Sequence, residues 1–539
     1  MSKAAFIGID LGTTNSVVSV LKNKKLEVVE VNGEGKKLLR SAAMYRKGKE
    51  PMCGKVCLSN ITYIRKGIVV TNSKRILGRK FDDPFVEKVK SSCYAKVVEN
   101  EKGMAVFSIP NVEGYVAPED VAALFLNKLY DSAIAKLDNV PVGGVTVTIP
   151  AAYSQEQKLA TKRAIEKSKL PKNVKLQTEP SAAAIAYGLD TDYKNSTILV
   201  YDLGGGTFDV SIIQIKNGEE FSVLGTDGDI GIGGEAFDDR IVRALNQFFV
   251  EHSDEGVLPE EDAQDEFYYR AHALLRDMCR EAKEALSSDG MDTVNIDITE
   301  FNSILRKYMP KEEDDGDDGD YSDVEVVETY SLTRKKFESL IKDDIERTVM
   351  ITNRCIERTG LRKEDISVVV MVGGSSRIPF VKRRMEQEFG SGRVKYQINP
   401  DECVSMGAAM FASQKVHNRT TKDICVGASN HQYNVIIPKG TEYPTKTPGT
   451  QKFSLDRHNV GYIKCPVFEH DEEYRLLDNV VIDNEAIAGC EMDLLFKYKI
   501  DEEGICYLTV EDDDDHILLD NKPVSLCYDS ADYCPEEDY

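Results

Sequence analysis

The chain has no run of about 18 consecutive apolar residues, so it carries no candidate membrane-spanning helix. It is short of positive charge: 68 Lys and Arg stand against 91 Asp and Glu, a net charge of −23. That balance argues against a nucleic-acid partner, whose phosphates demand a basic surface. The 12 cysteines are scattered without CxxC pairs or a His/Cys cluster. Reduced cytoplasmic thiols are expected rather than a disulfide frame or a zinc site. The N-terminus, MSKAAFIGID, lacks the apolar core of a secretion signal. The acidic block Lys311–Asp323 (KEEDDGDDGDYSD) has Glu325 at the twelfth position counted from Asp314, but Gly316 fills the third position, where an EF-hand calcium loop carries Asp or Asn, so a calcium loop is not expected. Such a block is expected to be disordered.

What is present is a set of glycine turns behind apolar strands. Thr197–Val200 (TILV) leads into Tyr201–Val210, YDLGGGTFDV, and a second strand follows from Val210 to Ile215. Glycines permit positive φ and close approach of a ligand. Successive N–H groups in such a turn form an anion-binding concavity. The flanking Asp202 and Asp209 suit a hard, hydrated cation such as Mg²⁺. Ile7–Ser16, IGIDLGTTNS, has the same layout, with Asp10, Gly12, Thr13 and Thr14. The two Asp-Leu-Gly turns read as an internal repeat: two similar lobes facing one nucleotide.

At 539 residues, about two to four domains are expected. Lys74 lies in a basic cluster, read either as a solvated helix start or as a cation aimed at phosphate. Pro118 opens a helix to about Lys136, with apolar residues at helical spacing. Val145–Ile149 is a buried strand, and Ser154 with Gln157 forms a capping box. Thr178–Leu189 (TEPSAAAIAYGL) holds a helix with Pro180 near its start and Gly188 past its end. Glu179, just before that helix, is either a dipole partner or an organiser of water and Mg²⁺. Gly233 and Gly234 in GIGGEAFDD form another close-approach pair. Residues 260–287 read as an amphipathic helix with Phe267, Ala271, Leu274, Leu275, Met278 and Ala282 facing the core, and Thr333 caps a helix ending near Gly360. Val368–Arg377 is a buried strand running into Gly373, Gly374, Ser375 and Arg377, a pattern suited to the sugar and base of a nucleotide. Beyond residue 424 short alternating stretches announce an all-β module of about 110 residues.

Ile9–Ser16 (IDLGTTNS), Val200–Ile212 (VYDLGGGTFDVSI) and Val369–Pro379 (VVMVGGSSRIP) together resemble the heat shock protein 70 (DnaK-type) family; Thr178–Asp190, Ser73–Asp83 and Ile398–Ala409 support the likeness in the same order. The resemblance spans about residues 4–415. It implies an α/β, actin/hexokinase-type two-lobed ATPase over residues 1–416, a linker at 417–424, a β-sandwich peptide-binding domain at 425–528 and an acidic tail at 529–539. ATP/ADP and Mg²⁺ are the implied cofactors. By that resemblance Asp10 and Asp202, with Glu179 and Asp209, hold the hydrated metal. Gly12, Thr13 and Thr14 wrap one side of the phosphates, and Gly204, Gly205, Gly206 and Thr207 the other. Lys74 meets the γ-phosphate and the attacking water. Lys283 and Ser287 reach the ribose and base, and Gly373, Gly374, Ser375 and Arg377 wall the adenosine, with Asp401 nearby. Implied partners are unfolded protein or peptide segments, J-domain co-chaperones and nucleotide exchange factors, without nucleic acid or membrane.

The chain also departs from that family. Arg280 stands where an acid is usual and Glu284 where an Arg stacks on adenine. Ala152–Gln155 (AYSQ) replaces the usual YFND, and Lys175 replaces an Arg that often meets J-domain partners. HNRTTKDI takes the place of the leucine-rich linker, and the helical lid and EEVD ending are missing. Two functions therefore stand side by side: an ATP-driven folding chaperone, and a regulatory co-chaperone-like protein that binds nucleotide but couples weakly to peptide. A kinase or filament protein on the same fold is disfavoured.

Overall fold

The computed structural model describes residues 4–31, 35–58, 66–90, 93–110, 112–188, 195–217, 220–253, 266–288, 290–299, 301–302, 328–396, 398–413, 418–420, 423–428, 432–455, 462–470, 474–483, 492–501 and 505–524. The acidic block at 311–323 and the tail at 529–539 lie outside them, as do Phe267 and Ala271 as side chains.

The internal repeat is visible as repeated topology. In the first lobe the strands Lys25–Val28, Asn15–Lys22 and Ala5–Asp10 run antiparallel, and Val142–Ile149 and Val174–Thr178 join them parallel. In the second lobe Glu220–Asp229, Phe208–Lys216 and Ser196–Leu203 are antiparallel, followed by parallel Val368–Val372 and Val394–Lys395. Asp10 and Asp202 therefore sit at equivalent ends of equivalent strands, each before the turn to its antiparallel neighbour. Strands in the middle of such sheets are covered on both faces and read as continuous apolar runs. Val368–Val372 is buried at every residue.

Two helices lie between the sheets. Cys403–Ala412 packs on the first sheet, Glu179–Gly188 on the second, and the helices pack on each other. Their contact is made by small residues, Ala182 to Ala184 and Ala408, beside Ile198, Val200 and Val370. Approach is so close that a Cβ on Gly407 would lie 1.7 Å from the Ala182 carbonyl oxygen. The lobes are thus joined at this seam, and the cleft opens on the side of the glycine turns.

Other elements follow local signals. Pro118–Leu137 is helical, and Ser154 accepts from the Gln157 amide at 3.3 Å while the Gln157 side chain accepts from the Ser154 amide at 3.1 Å. Thr333 caps helix Arg334–Arg358. One expectation is corrected. Glu179 is the first residue of its helix and Gly188 the last, because the strand Val174–Thr178 ends against the helix with no intervening loop. Of the helix expected over 260–287, residues 260–265 lie outside the described residues and Glu266–Leu286 is helical, with Leu275 and Ala282 buried and Leu274 and Met278 packed against the core.

The C-terminal module is a sandwich of two four-stranded antiparallel sheets. Met492–Ile500 shows the alternation of a strand covered on one face: Leu494, Phe496, Tyr498 and Ile500 are buried. Asn418–Arg419 pairs with Glu442–Tyr443, and Lys162 of the first lobe meets Asp501 of the sandwich at 2.8 Å. Among the described residues no helix is long and apolar enough to cross a membrane.

Candidate active site

A cleft of about 1130 Å³ runs between the lobes, lined from one side by Asp10, Thr13 and Lys74 and from the other by Gly205, Lys283 and Arg377. Its inner end is set by four carboxyl groups and one ammonium. Lys74 lies on the single turn Ser73–Ile76, entered through Asn72 in the left-handed region at φ 57. That entry turns Lys74 inward, where Nζ meets Glu179 Oε1 at 2.5 Å, with side-chain exposures of 11% and 17%. The Tyr153 hydroxyl donates to the Lys74 carbonyl at 3.4 Å. Burial alone opposes the ammonium charge, but Glu179, Tyr153 and Asp10 outweigh it and hold the Lys74 pKa above its ordinary value.

The aspartates respond the opposite way. Burial, then the charge of Glu179, pushes Asp10 up to about 7, although Lys74 and a 3.2 Å bond from Thr148 Oγ1 oppose this. Burial and the surrounding carboxylates raise Asp202 well above the ordinary range. Asp209 is pushed up to about 6, mainly by burial, and accepts from Thr207 Oγ1 at 2.9 Å. An excess of buried carboxylates over cations is a site for a further cation. Among the described residues no three His, Cys, Asp or Glu converge closely enough to ligate one metal ion directly. Asp10, Asp202, Glu179 and Asp209 therefore fit an ion that keeps its waters, as Mg²⁺ does. Because a proton competes for Asp10, the Mg²⁺ concentration needed for half-maximal turnover is expected to rise as pH falls below about 7, by up to about tenfold per pH unit for each proton displaced. Mg²⁺ titrations at pH 6 and pH 8 that coincide would contradict this.

The turns form a cradle between those carboxylates and the solvent. A Cβ on Gly205 would lie 2.3 Å from Thr14 Oγ1, so the two lobes approach too closely here for any side chain. The Thr14 hydroxyl is buried and has no hydrogen-bond partner among the described residues. It borders the cleft and is free to donate to an anionic oxygen. Gly12, Thr13, Gly204, Gly206, Gly234, Gly373 and Gly374 border the same cleft, and Gly233 backs the turn, its Cβ position 2.8 Å from the Gly206 carbonyl carbon. Glycine-rich backbone, an orphan hydroxyl and a buried ammonium together fit a polyphosphate.

At the outer end Lys283, Ser287, Gly373, Gly374, Ser375, Arg377 and Asp401 line the cleft, and several of their side chains are also tied to the protein. Lys283 is buried and committed to the protein, with Nζ 2.7 Å from Asp238 and donating to the Gly234 carbonyl at 2.8 Å. It braces the helix that starts at Gly234. Ser287 Oγ donates back to the Lys283 carbonyl at 2.8 Å. Ser375 Oγ donates to the Gly204 carbonyl at 2.9 Å, tying the two glycine turns together. Arg377 is held by Asp401 at 2.9 Å and by Asn399. Burial raises Asp401 against the pull of Arg377. Arg280 is bonded to Asp277 at 2.6 Å and stands 3.8 Å from the exposed Glu284. Sequence reasoning missed Asp238, Thr148, Tyr153 and Arg40, the last of which also lines the cleft. Asp238 was legible only as one of the acids in GIGGEAFDD, Tyr153 lay unremarked within the AYSQ stretch, and Arg40 and Thr148 carry no motif.

Residues 6–514 match the sequence model of one protein family, described as Hsp70 protein.

Proposed function

This chain belongs to the Hsp70 family, and from that premise we propose that it hydrolyses ATP slowly, with Mg²⁺, to ADP and phosphate as part of a chaperone cycle. It is a chaperone of the Hsp70 type. The observation that carries the proposal is the Lys74–Glu179 pair, at 2.5 Å, set among Asp10, Asp202 and Asp209 at the inner end of a glycine cradle. Phosphoryl transfer to water asks mainly for positioning and charge neutralisation. Lys74 faces the terminal phosphate and offers its positive charge to the equatorial oxygens. Glu179, fixed by Lys74, accepts from the attacking water, and Thr207, whose hydroxyl donates to Asp209 at 2.9 Å, stands beside the same phosphate. Gly12, Thr13, Thr14 and Gly204 to Gly206 supply donors along the remaining phosphates. Asp10 and Asp202, with Glu179 and Asp209 outside them, would hold a hydrated Mg²⁺. When bound, that ion neutralises charge on the phosphates. Gly233, Gly234, Gly373, Gly374, Ser375, Arg377 and Asp401 enclose the nucleoside, with Lys283 and Ser287 supporting the wall.

The sandwich takes unfolded protein segments, J-domain proteins and exchange factors serve as partners, and the protein works in the cytoplasm. The test is Mg²⁺-dependent release of phosphate from ATP by the purified chain, with and without a J-domain protein and an unfolded peptide. Turnover no higher than in EDTA overturns the enzymatic reading.

A second reading, a regulatory member that holds nucleotide and couples weakly to peptide, is favoured by the outer end of the cleft. Arg280 is engaged by Asp277 and Glu284 instead of lying free to stack. Glu284→Arg is expected to supply a guanidinium for the base and to tighten ADP binding by about two- to thirty-fold, or about 0.5–2 kcal/mol. Titration with a fluorescent ADP analogue checks it, and unchanged affinity would remove the argument for a weakened base site.

A further inference from the structure

A second cavity of about 280 Å³ lies behind the carboxyl groups, on the far side from the main cleft. The two cavities share Glu179, Asp202, Thr207 and Asp209 as a common wall. The rest of the second cavity belongs to it alone, including Pro150, Ala152, Pro180, Ser211, Thr226 and Ile230. A water occupies about 30 Å³ of liquid, so this volume equals about nine waters. That is room for a phosphate ion with part of its hydration.

Charge at its mouth points the same way. Asp227 and Asp229 border the cavity, and both are answered by arginines of helix Arg334–Arg358. Arg347 reaches Asp229 at 2.5 Å, while Arg354 and Arg358 reach Asp227 at 2.7 and 3.3 Å. All three guanidinium groups remain substantially exposed, at 62%, 51% and 44%. Three exposed cations on one helix make an electrostatic lead for an anion leaving the interior. In the ATPase reading the cleaved phosphate lies at the inner end of the main cleft, and ADP stands between it and the front opening.

We propose that the second cavity is the route by which the cleaved phosphate leaves, past Glu179, Thr207 and Asp209, while ADP stays in the main cleft. The inference rests on the proposed ATPase activity and adds a separate exit to it. Its consequence is that phosphate release and ADP release are independent steps with independent gates.

The test uses the full chain and two plugs from opposite walls, Ala152→Leu and Thr226→Phe. Three rates are read: ATP cleavage by quenched single turnover, free phosphate by a fluorescent phosphate sensor, and ADP release with a fluorescent analogue. The expected result is phosphate release slowed by about tenfold or more, with cleavage and ADP release at the rates of the unmodified protein. Either plug alone decides the matter if the other fails to fold. Unchanged phosphate release in a folded plugged variant overturns the route, as does slowing of phosphate and ADP release in equal proportion. Absence of quenched cleavage in the unmodified chain overturns the ATPase reading and the route with it.

Discussion

Replacing Lys74 with alanine is expected to lower ATP turnover by about 100- to 1000-fold, the range found when one preorganised donor is removed from developing transition-state charge. The reason lies in the local charge balance. Lys74 pairs with Glu179, and its charge opposes the raised proton affinity of Asp10 and Asp202. Without it Glu179 loses its 2.5 Å partner and no longer has a fixed orientation toward water. Three buried carboxyl groups then face an anionic phosphate with no protein cation between them. Nucleotide affinity is expected to change less than turnover, since the glycine turns are untouched. Single-turnover cleavage with saturating Mg²⁺ checks the prediction, together with binding of an ADP analogue to show that the cleft is intact. A loss below about tenfold would move the catalytic centre away from this pair.

Replacing Gly373 with alanine is expected to damage both stability and Mg²⁺ use. Gly373 has φ 79 and ψ 146, a region open to glycine and strained for any other residue. Its Cβ would also lie 2.5 Å from the Leu203 carbonyl oxygen and 2.6 Å from Asp202 Oδ1. Strain of this kind costs about 1–3 kcal/mol, and relief of the clash displaces Asp202. The expected outcome is a lower unfolding temperature for the second lobe and a right-shifted Mg²⁺ titration of turnover. Gly392→Ala is the control, since that glycine has open space around it and no positive φ. A Gly373→Ala protein with the unmodified melting curve and Mg²⁺ dependence would refute the argument.

Much of the inner end of the site was legible because it is local. Asp10 and Asp202 each end a strand whose antiparallel partner follows within a few residues. A strand, a glycine turn and a strand can be read from consecutive residues, and so can their capacity for phosphate. The outer end was less legible because its side chains choose partners across the fold. Lys283 was assigned to ribose and base by resemblance, yet its ammonium lies in a buried pair with Asp238 and donates to Gly234. Arg280 and Glu284 differ from the family pattern in sequence, but their engagement with Asp277 and with each other is a fact of geometry. Thr148 reached the site with no motif at all, and Tyr153 came from a stretch read only as a departure from the family.

By itself the sequence determined the two-lobed repeat, the sandwich that follows it, and the glycine turns with their aspartates. These depend on periodicity and turn chemistry within short windows, where neighbours in sequence are neighbours in space. Only the tertiary structure decided which charges are spent inside the protein and which face the cleft. Lys74 and Glu179 are 105 residues apart, and no local pattern states that they meet. It also decided that one set of carboxyl groups is shared by two cavities, because that wall exists only where strand ends of the second lobe and the first turn of helix Glu179–Gly188 close around the same space.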